Sequence, residues 1–269
     1  MSEERALSDI DEASIRAYRL ERIRQELVRQ DRQAVLVVDP VNLRYATGTR
    51  NMQVWTMHNI SRYALVLASG ETVLFELPTG KHLWKHFEAL KDIRSAVAFD
   101  YMLVGYRAEE MAKKWAVQLD QALNDYGCND RLLPVDRADT LMIQSLSERG
   151  REFTDGKSVL ELARSVKSTE EIKAFCSSLS TCEAAVRSLY EFATPGKKES
   201  EAFGHLIGQS IAHGGEYPET RLLSSGPRTN PWFQEASDRV MQAGDCLSFD
   251  TDLIGPMGFY NDISRSWVI

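Results

Sequence analysis

The sequence predicts an α/β (α+β) protein in two parts, and three observations carry the prediction. Over residues 1–155, short β-prone apolar runs alternate with stretches of helical periodicity, which is the pattern of strands interleaved with helices. Two amphipathic stretches, over 168–192 and 200–212, then follow one another with no strand between them. The last segment pairs two apolar runs, 246–249 and 263–269, across a turn-rich middle holding Gly255, Pro256 and Gly258.

In the first part, apolar steps through Ile15, Tyr18, Leu20, Ile23 and Leu27 predict a helix over 8–29. A buried strand over 34–38 ends at Asp39-Pro40, and a short helical turn over 42–48 is closed by Gly48. Strands over 63–68 and 72–77 are joined tightly by Ser69-Gly70-Glu71. Helical spacing over 81–90, a strand over 96–99, a helix over 109–124 and a strand over 132–135 complete this unit. The second part, 156–269, opens near Gly156. Ser168 and Glu171 have capping-box spacing, and the helix they start runs through Ile172, Phe175, Leu179 and Val186. Thr194-Pro195-Gly196 stops it, and His213-Gly214-Gly215 stops the helix over 200–212. No internal repeat or low-complexity segment is present.

The 269 residues are 43% hydrophobic and 26% charged, a composition that can bury a core. A net charge of -7 excludes a broad basic surface for nucleic acid or an anionic membrane, although it leaves room for a local basic pocket. No apolar run reaches the length of a membrane span, Met-Ser-Glu-Glu-Arg opens the chain without an apolar stretch, and the protein reads as cytoplasmic. Cys128, Cys176, Cys182 and Cys246 are scattered without metal-site spacing and read as buried thiols.

The terminal hairpin carries the chemistry. Period-two alternation puts Asp250 and Asp252 on one strand face, and a return near Gly258 can bring Asp262 beside them. Three adjoining carboxylates repel unless a cation lies between them, so the stretch reads as a metal site or as a solvated acidic loop. Phe249 and Ile263 next to the aspartates argue for the former. A calcium loop counted from Asp250 would put Ile254 and Asn261 at liganding positions, which excludes it. A phosphotransferase with Asp250 as nucleophile stays open, but such a motif ordinarily opens its domain.

The order helix, Thr-Pro-Gly, helix, Ser224-Ser225-Gly226-Pro227 turn and Gly244-Asp245-x-x-x-x-Asp250 strand, ending in Asp262-Ile-Ser-Arg-Ser266, resembles the metal-dependent peptidase and creatinase superfamily. The resemblance implies a creatinase-like N-terminal α/β domain followed by the first half of a pita-bread catalytic domain. Three departures matter. One residue more than usual separates Asp250 from Asp262, and Asp252 replaces a glycine. The peptidase histidine position reads Asn230-Pro-Trp232-Phe233-Gln234. The superfamily's remaining ligands, one His and two Glu, would fall after Ile269, so the chain is expected to be truncated and inactive alone.

Arg228-Thr-Asn-Pro-Trp-Phe233 and Asp250-Thr-Asp252 are similar to the DddP-type dimethylsulfoniopropionate lyase branch. That resemblance implies Asp250, Asp252 and Asp262 as ligands of iron, with Mn, Zn or Co as alternatives, in a homodimer acting on a small zwitterionic substrate. Trp232, Phe233, Tyr260, Trp55 and His58 are the candidate substrate-binding residues, each weighed against ordinary packing. The general base stays unassigned. Other readings are an Xaa-Pro peptidase and a non-catalytic remnant or binding module. His205 and His213 read as helix residues, and Trp84, Trp115 and Trp267 as packing.

Overall fold

The computed structural model describes residues 10–87 and 90–269, and the chain forms two compact units. The first is Glu12–Ser168. The second is Thr169–Ile269 with Ile10 and Asp11.

In the first unit, α1 (Glu12–Arg29) leads to β1 (Ala34–Val37), α2 (Pro40–Thr47) and the single turn α3 (Gln53–Thr56). Then come β2 (Tyr63–Leu67), β3 (Thr72–Glu76), β4 (Asp92–Ser95), α4 (Tyr101–Val104) and α5 (Ala108–Asp125). The unit closes with β5 (Leu132–Val135), α6 (Thr140–Ser147), β6 (Glu152–Asp155) and α7 (Lys157–Ser165). The six-stranded sheet runs β4-β3-β2-β1-β5-β6, with the β2–β3 hairpin antiparallel and β1–β5 and β5–β6 parallel.

Alternation sorts the strand residues onto two helical layers. Leu36, Tyr63, Leu65 and Phe75 meet Trp115 and Leu119 of α5, while Val35, Val37, Ala64 and Leu74 meet Ile23 and Leu27 of α1 and Val159 and Leu160 of α7. Each such fully buried aliphatic or phenyl side chain contributes about 1.5–3 kcal/mol. The packing of α7 on α1 keeps residues 157–165 in the first unit, which ends at Ser168.

The edge strand corrects the sequence reading. The expected strand over 96–99 is Asp92–Ser95, where Arg94 pairs with Asp92 and Asp125 at a charged sheet edge. Ala96 and Phe99 are buried, but as the coil leaving that edge. Only a short 3-10 turn, Lys81–Trp84, forms in the stretch expected to be helical over 81–90, of which 88 and 89 lie outside the described residues. The same holds for residues 8 and 9 of the expected first helix.

Asp39 caps α2 by accepting from the backbone N–H of Val41 (2.9 Å) and Asn42 (3.1 Å), with Pro40 in the first turn where a missing N–H costs nothing. Asp136, at the end of β5, accepts from Val38 N (2.7 Å), Asp39 N (3.2 Å) and Asn42 Nδ2 (3.1 Å) and so fastens the parallel seam. Burial pushes its carboxyl up to about 6 against the pull of those donors. The folded state therefore keeps a proton between about pH 4 and 6 that the unfolded chain has released. This group's contribution to stability is full below pH 4 and lost as pH rises through 6, a fall of about 3 kcal/mol. The Asp136→Asn variant should lack that slope: its unfolding free energy relative to wild type should shift by about this amount between pH 4 and 7, and parallel profiles would refute the assignment.

In the second unit, α8 (Thr169–Phe192) and α9 (Glu199–Ala212) lie over a sheet of β7 (Tyr217–Pro218), β8 (Leu223–Ser225), β9 (Cys246–Ile254) and β10 (Tyr260–Val268). β9 pairs antiparallel with the other three. Its Leu247, Phe249 and Leu253 join Ile263 of β10 and Ala185, Leu189, Phe203 and Leu206 of the helices in one core. The buried stripe of α8 is rich in small residues, Ala174, Ser178, Thr181, Cys182 and Ala185, with Glu171 near its start and Leu189 near its end. Ile172 and Phe175, expected inside, are exposed, because small side chains let the helix sit close to the β9–β10 turn, where Ser178 Oγ donates to Phe259 O (3.0 Å). Cys176 is exposed on the same helix and is not a buried thiol; Cys128 and Cys182 are buried, and Cys246 is half-buried.

Candidate metal centre

Strict alternation along β9 builds the site. Leu247, Phe249, Thr251 and Leu253 are buried, while Ser248, Asp250 and Asp252 between them are half-buried on the opposite face. The register pairs Asp262 with Asp252, Ser264 with Asp250 and Tyr260 with Ile254, and directly opposed residues share a face. All three aspartates thus lie on the open face of one antiparallel pair. Backbone bonds hold β9 from its other side: Asp250 N donates to Leu222 O (3.0 Å), and Glu219 N to Asp252 O (2.9 Å). Ser264 Oγ donates to Asp250 Oδ1 at 2.7 Å and fixes that carboxylate across the pair.

The electrostatics record the crowding. Asp250 first and Asp252 second raise the Asp262 carboxyl above its ordinary value, and no lysine or arginine enters among the causes. Asp250 and Asp262 interact directly as side chains, while among the described residues no group of three or more His, Cys, Asp or Glu side chains is gathered closely enough to hold a metal. The backbone register keeps all three aspartates on one face. The donor set fits a hard cation in chemistry, three carboxylate oxygen ligands beside a positive-charge deficit.

Tyr260 stands on the same face. Its hydroxyl donates to Glu219 Oε1 (3.0 Å) and lies 3.3 Å from the Tyr217 hydroxyl, and burial, with the Tyr217 contact next, pushes the phenol far above its ordinary range. Trp232 is half-buried and Phe233 is 80% exposed. Phe233 also has a φ of +70°, a left-handed conformation that costs a side-chain-bearing residue energy and concentrates at functional loops. Trp55 and His58 belong to the first unit, where Trp55 O accepts from Asn59 Nδ2 (3.1 Å) and the His58 side chain is exposed.

The sequence did not reveal what holds the Trp232–Phe233 loop. Glu199, at the start of α9, has no exposed surface and accepts from Ser225 N (2.7 Å), Ser225 Oγ (2.8 Å), Ser237 N (3.1 Å) and Ser237 Oγ (2.7 Å), while Arg228 forms an ion pair with it. One carboxylate therefore pins both ends of 225–237. Arg239, paired with Asp245 at 2.6 Å, braces the same turn. The Ser-Ser-Gly-Pro-Arg run was the only available signal, because the acidic first turn of a helix ordinarily faces water. His205 lies in α9 and His213 at its end: His205 stacks on Phe192 at 4.2 Å and meets Ser188 Oγ (2.8 Å), and His213 Nδ1 lies 2.8 Å from Gln209 O. Trp115 is fully buried; Trp84 Nε1 donates to Glu76, and Trp267 packs on Phe249.

Comparison with known proteins agrees with this architecture. The Creatinase/Prolidase N-terminal domain matches residues 19–166, and Metallopeptidase family M24 matches 177–269. The chain is 37% identical over 264 residues to dimethylsulfoniopropionate lyase DddP of Roseobacter denitrificans, covering 96% of this chain and 59% of that protein. It is 35% identical over 267 residues to the protein of the same name from Roseovarius nubinhibens, covering 97% and 59%. The chain thus spans 59% of the length of each of these curated relatives. In fold it is similar to the prolidase of Pyrococcus horikoshii OT3, with a TM-score of 0.71 at 20% identity over 93% of this chain and 65% of that one. It is also similar to an X-Pro aminopeptidase of Thermotoga maritima, with a TM-score of 0.73 at 17% identity over the same shares. No helix among the described residues is long and apolar enough to cross a membrane. The chain belongs to the creatinase and family M24 metallopeptidase superfamily, close to the DddP dimethylsulfoniopropionate lyases.

Proposed function

We propose that the open face of β9 and β10 is part of a metal-dependent site that cleaves dimethylsulfoniopropionate to dimethyl sulfide and acrylate. The observation that carries this reading is the set of three same-face carboxylates, supported by the 37% identity to a lyase of that name. Asp250, Asp252 and Asp262 would hold the cation, iron first or else Mn, Zn or Co, which when bound supplies Lewis-acid stabilisation of negative charge beside a substrate carboxylate. Ser264 keeps Asp250 oriented, and Tyr260 remains protonated and directs its O–H at Glu219. Trp232 and Phe233 offer ring faces to the sulfonium, the contact that distinguishes this substrate from a dipeptide. Trp55 and His58 enter as substrate-facing residues contributed by a second copy in a homodimer. No residue is assigned as the general base.

The test uses protein of the full length of the curated relatives, loaded with iron and supplied with dimethylsulfoniopropionate. Release of dimethyl sulfide is expected, and Asp262→Ala should lose bound metal and turnover together, because the site loses one ligand and one charge. Trp232→Ala should keep its metal and weaken substrate binding by a factor of about 2 to 30, the equivalent of a lost cation–π contact of roughly 0.5–2 kcal/mol. Family M24 similarity over 177–269 favours a second reading, hydrolysis of Xaa-Pro dipeptides. Cleavage of such dipeptides with the sulfonium compound left intact would select it.

A further inference from the structure

The first unit holds a second polar site, unrelated to the aspartate face. Arg131 of the turn before β5, and Arg149 and Arg151 of the turn before β6, line a cavity of about 310 Å³ with Asp120 of α5 and the amides of Asn124 and Asn129. Asp120 is largely buried and accepts from Arg149 Nε on one oxygen and from Arg151 Nε (2.9 Å) on the other. Arg151 also donates to Asp130 O, and Arg131 Nε donates to Gly150 O (3.1 Å).

Arg131 and Arg149 are each anchored through Nε alone, whereas Arg151 is held through both Nε and Nη1. The Nη groups of Arg131 and Arg149 meet no protein acceptor among the described residues, and Arg131 makes no ion pair there. Three guanidiniums against one carboxylate leave a local charge of +2 in a chain whose net charge is -7. Like charges held in one concavity repel and lower stability unless an anion joins them. The lining offers N–H donors and no large apolar side chain, and planar guanidinium forks match the oxygens of a tetrahedral oxyanion.

We propose that this cavity binds a tetrahedral dianion of the phosphate or sulfate class, with Arg131 and Arg149 supplying the forks and Asp120 holding Arg149 and Arg151 in place. The site is partly open to solvent, so its affinity is modest and falls with salt. A bound dianion also raises the unfolding midpoint by mass action.

Calorimetric titration of the 269-residue protein with inorganic phosphate, and separately with sulfate, at low ionic strength tests this. Saturable binding at one site is expected, weakened at least about tenfold by Arg131→Ala, whose side chain makes a single protein hydrogen bond. Asn129→Asp removes no protein hydrogen bond and puts a carboxylate into the cavity; it should abolish binding while the folded circular-dichroism spectrum is unchanged. Absence of saturable binding by the wild-type protein, or equal binding by wild type and Asn129→Asp, overturns the proposal.

Discussion

Replacing Glu199 by alanine is expected to lower the unfolding free energy by about 3–5 kcal/mol, the cost of breaking a buried charged pair on one side only. The variant strands the four donors of Ser225 and Ser237 and leaves the Arg228 guanidinium, 26% exposed, without its partner. Glu199→Gln retains an acceptor at one position but presents an NH₂ to donors at the other, so it should recover only part of the loss. Urea unfolding gives the magnitude. Hydrogen exchange over 225–237 gives the location, since both ends of that loop hang on this carboxylate. A change below about 1 kcal/mol for Glu199→Ala would mean that the loop is held by other contacts.

The second large effect lies in the first unit, at Arg62 and Glu76, whose side chains are 1% and 0% exposed. Arg62 Nε reaches both Glu76 oxygens (2.9 and 2.8 Å), and its Nη2 donates to Thr49 Oγ1 (2.9 Å). Glu76 also accepts from Trp84 Nε1 (2.8 Å) and Leu77 N (2.9 Å), so it ties the segment after β3 back onto the sheet. Burial pulls the Arg62 guanidinium below its ordinary value, while Glu76 pulls it back up. Either partner alone is a buried uncompensated charge. Arg62→Met and Glu76→Leu should therefore each cost about 3–5 kcal/mol, and the double variant should be more stable than the sum of the two losses allows, with a coupling of about 2 kcal/mol. It should still fall below wild type, because Trp84 Nε1 and Leu77 N lose their acceptor. Strict additivity in that cycle would show that the two side chains do not act as a pair.

Local rules made much of this architecture legible. The Gly48 end of α2, the β2–β3 hairpin and the alternation that separates Asp250 and Asp252 from Phe249 are each written within a few residues, whereas Asp39-Pro40, expected to end a strand, also starts α2. What failed depended on neighbours distant in sequence. Ala96 and Phe99 look like a strand because they are apolar, but pairing with β3 goes to Asp92–Ser95, whose charges are satisfied by Asp125 on α5. Ile172 and Phe175 mark the wrong stripe of α8, since the β9–β10 turn selects small residues. Glu199 lies just outside the helix expected over 200–212, and its role was not legible because its donors arrive from positions 225 and 237. At the hairpin, pattern and pairing fix the shared face, and the like charge gathered there raises the Asp262 carboxyl with no lysine or arginine among the causes.

The position of β1 in its sheet has a consequence for the order of assembly. On one edge β1 pairs with β2 through a register that closes a loop of modest length, Val37 to Ala64. On the other it meets β5 at Leu36 and Val135, and the Asp136 bonds that fasten this seam span 98 residues. At about 5–20 residues per second, a ribosome needs roughly 5–20 s to deliver that second half after the first. During that interval β1 presents an open parallel-pairing edge, with the N–H groups of Val38 and Asp39 lacking their native acceptor. A growing chain in this state carries one unpaired strand edge, the kind of surface on which other chains can pair, until β5 arrives.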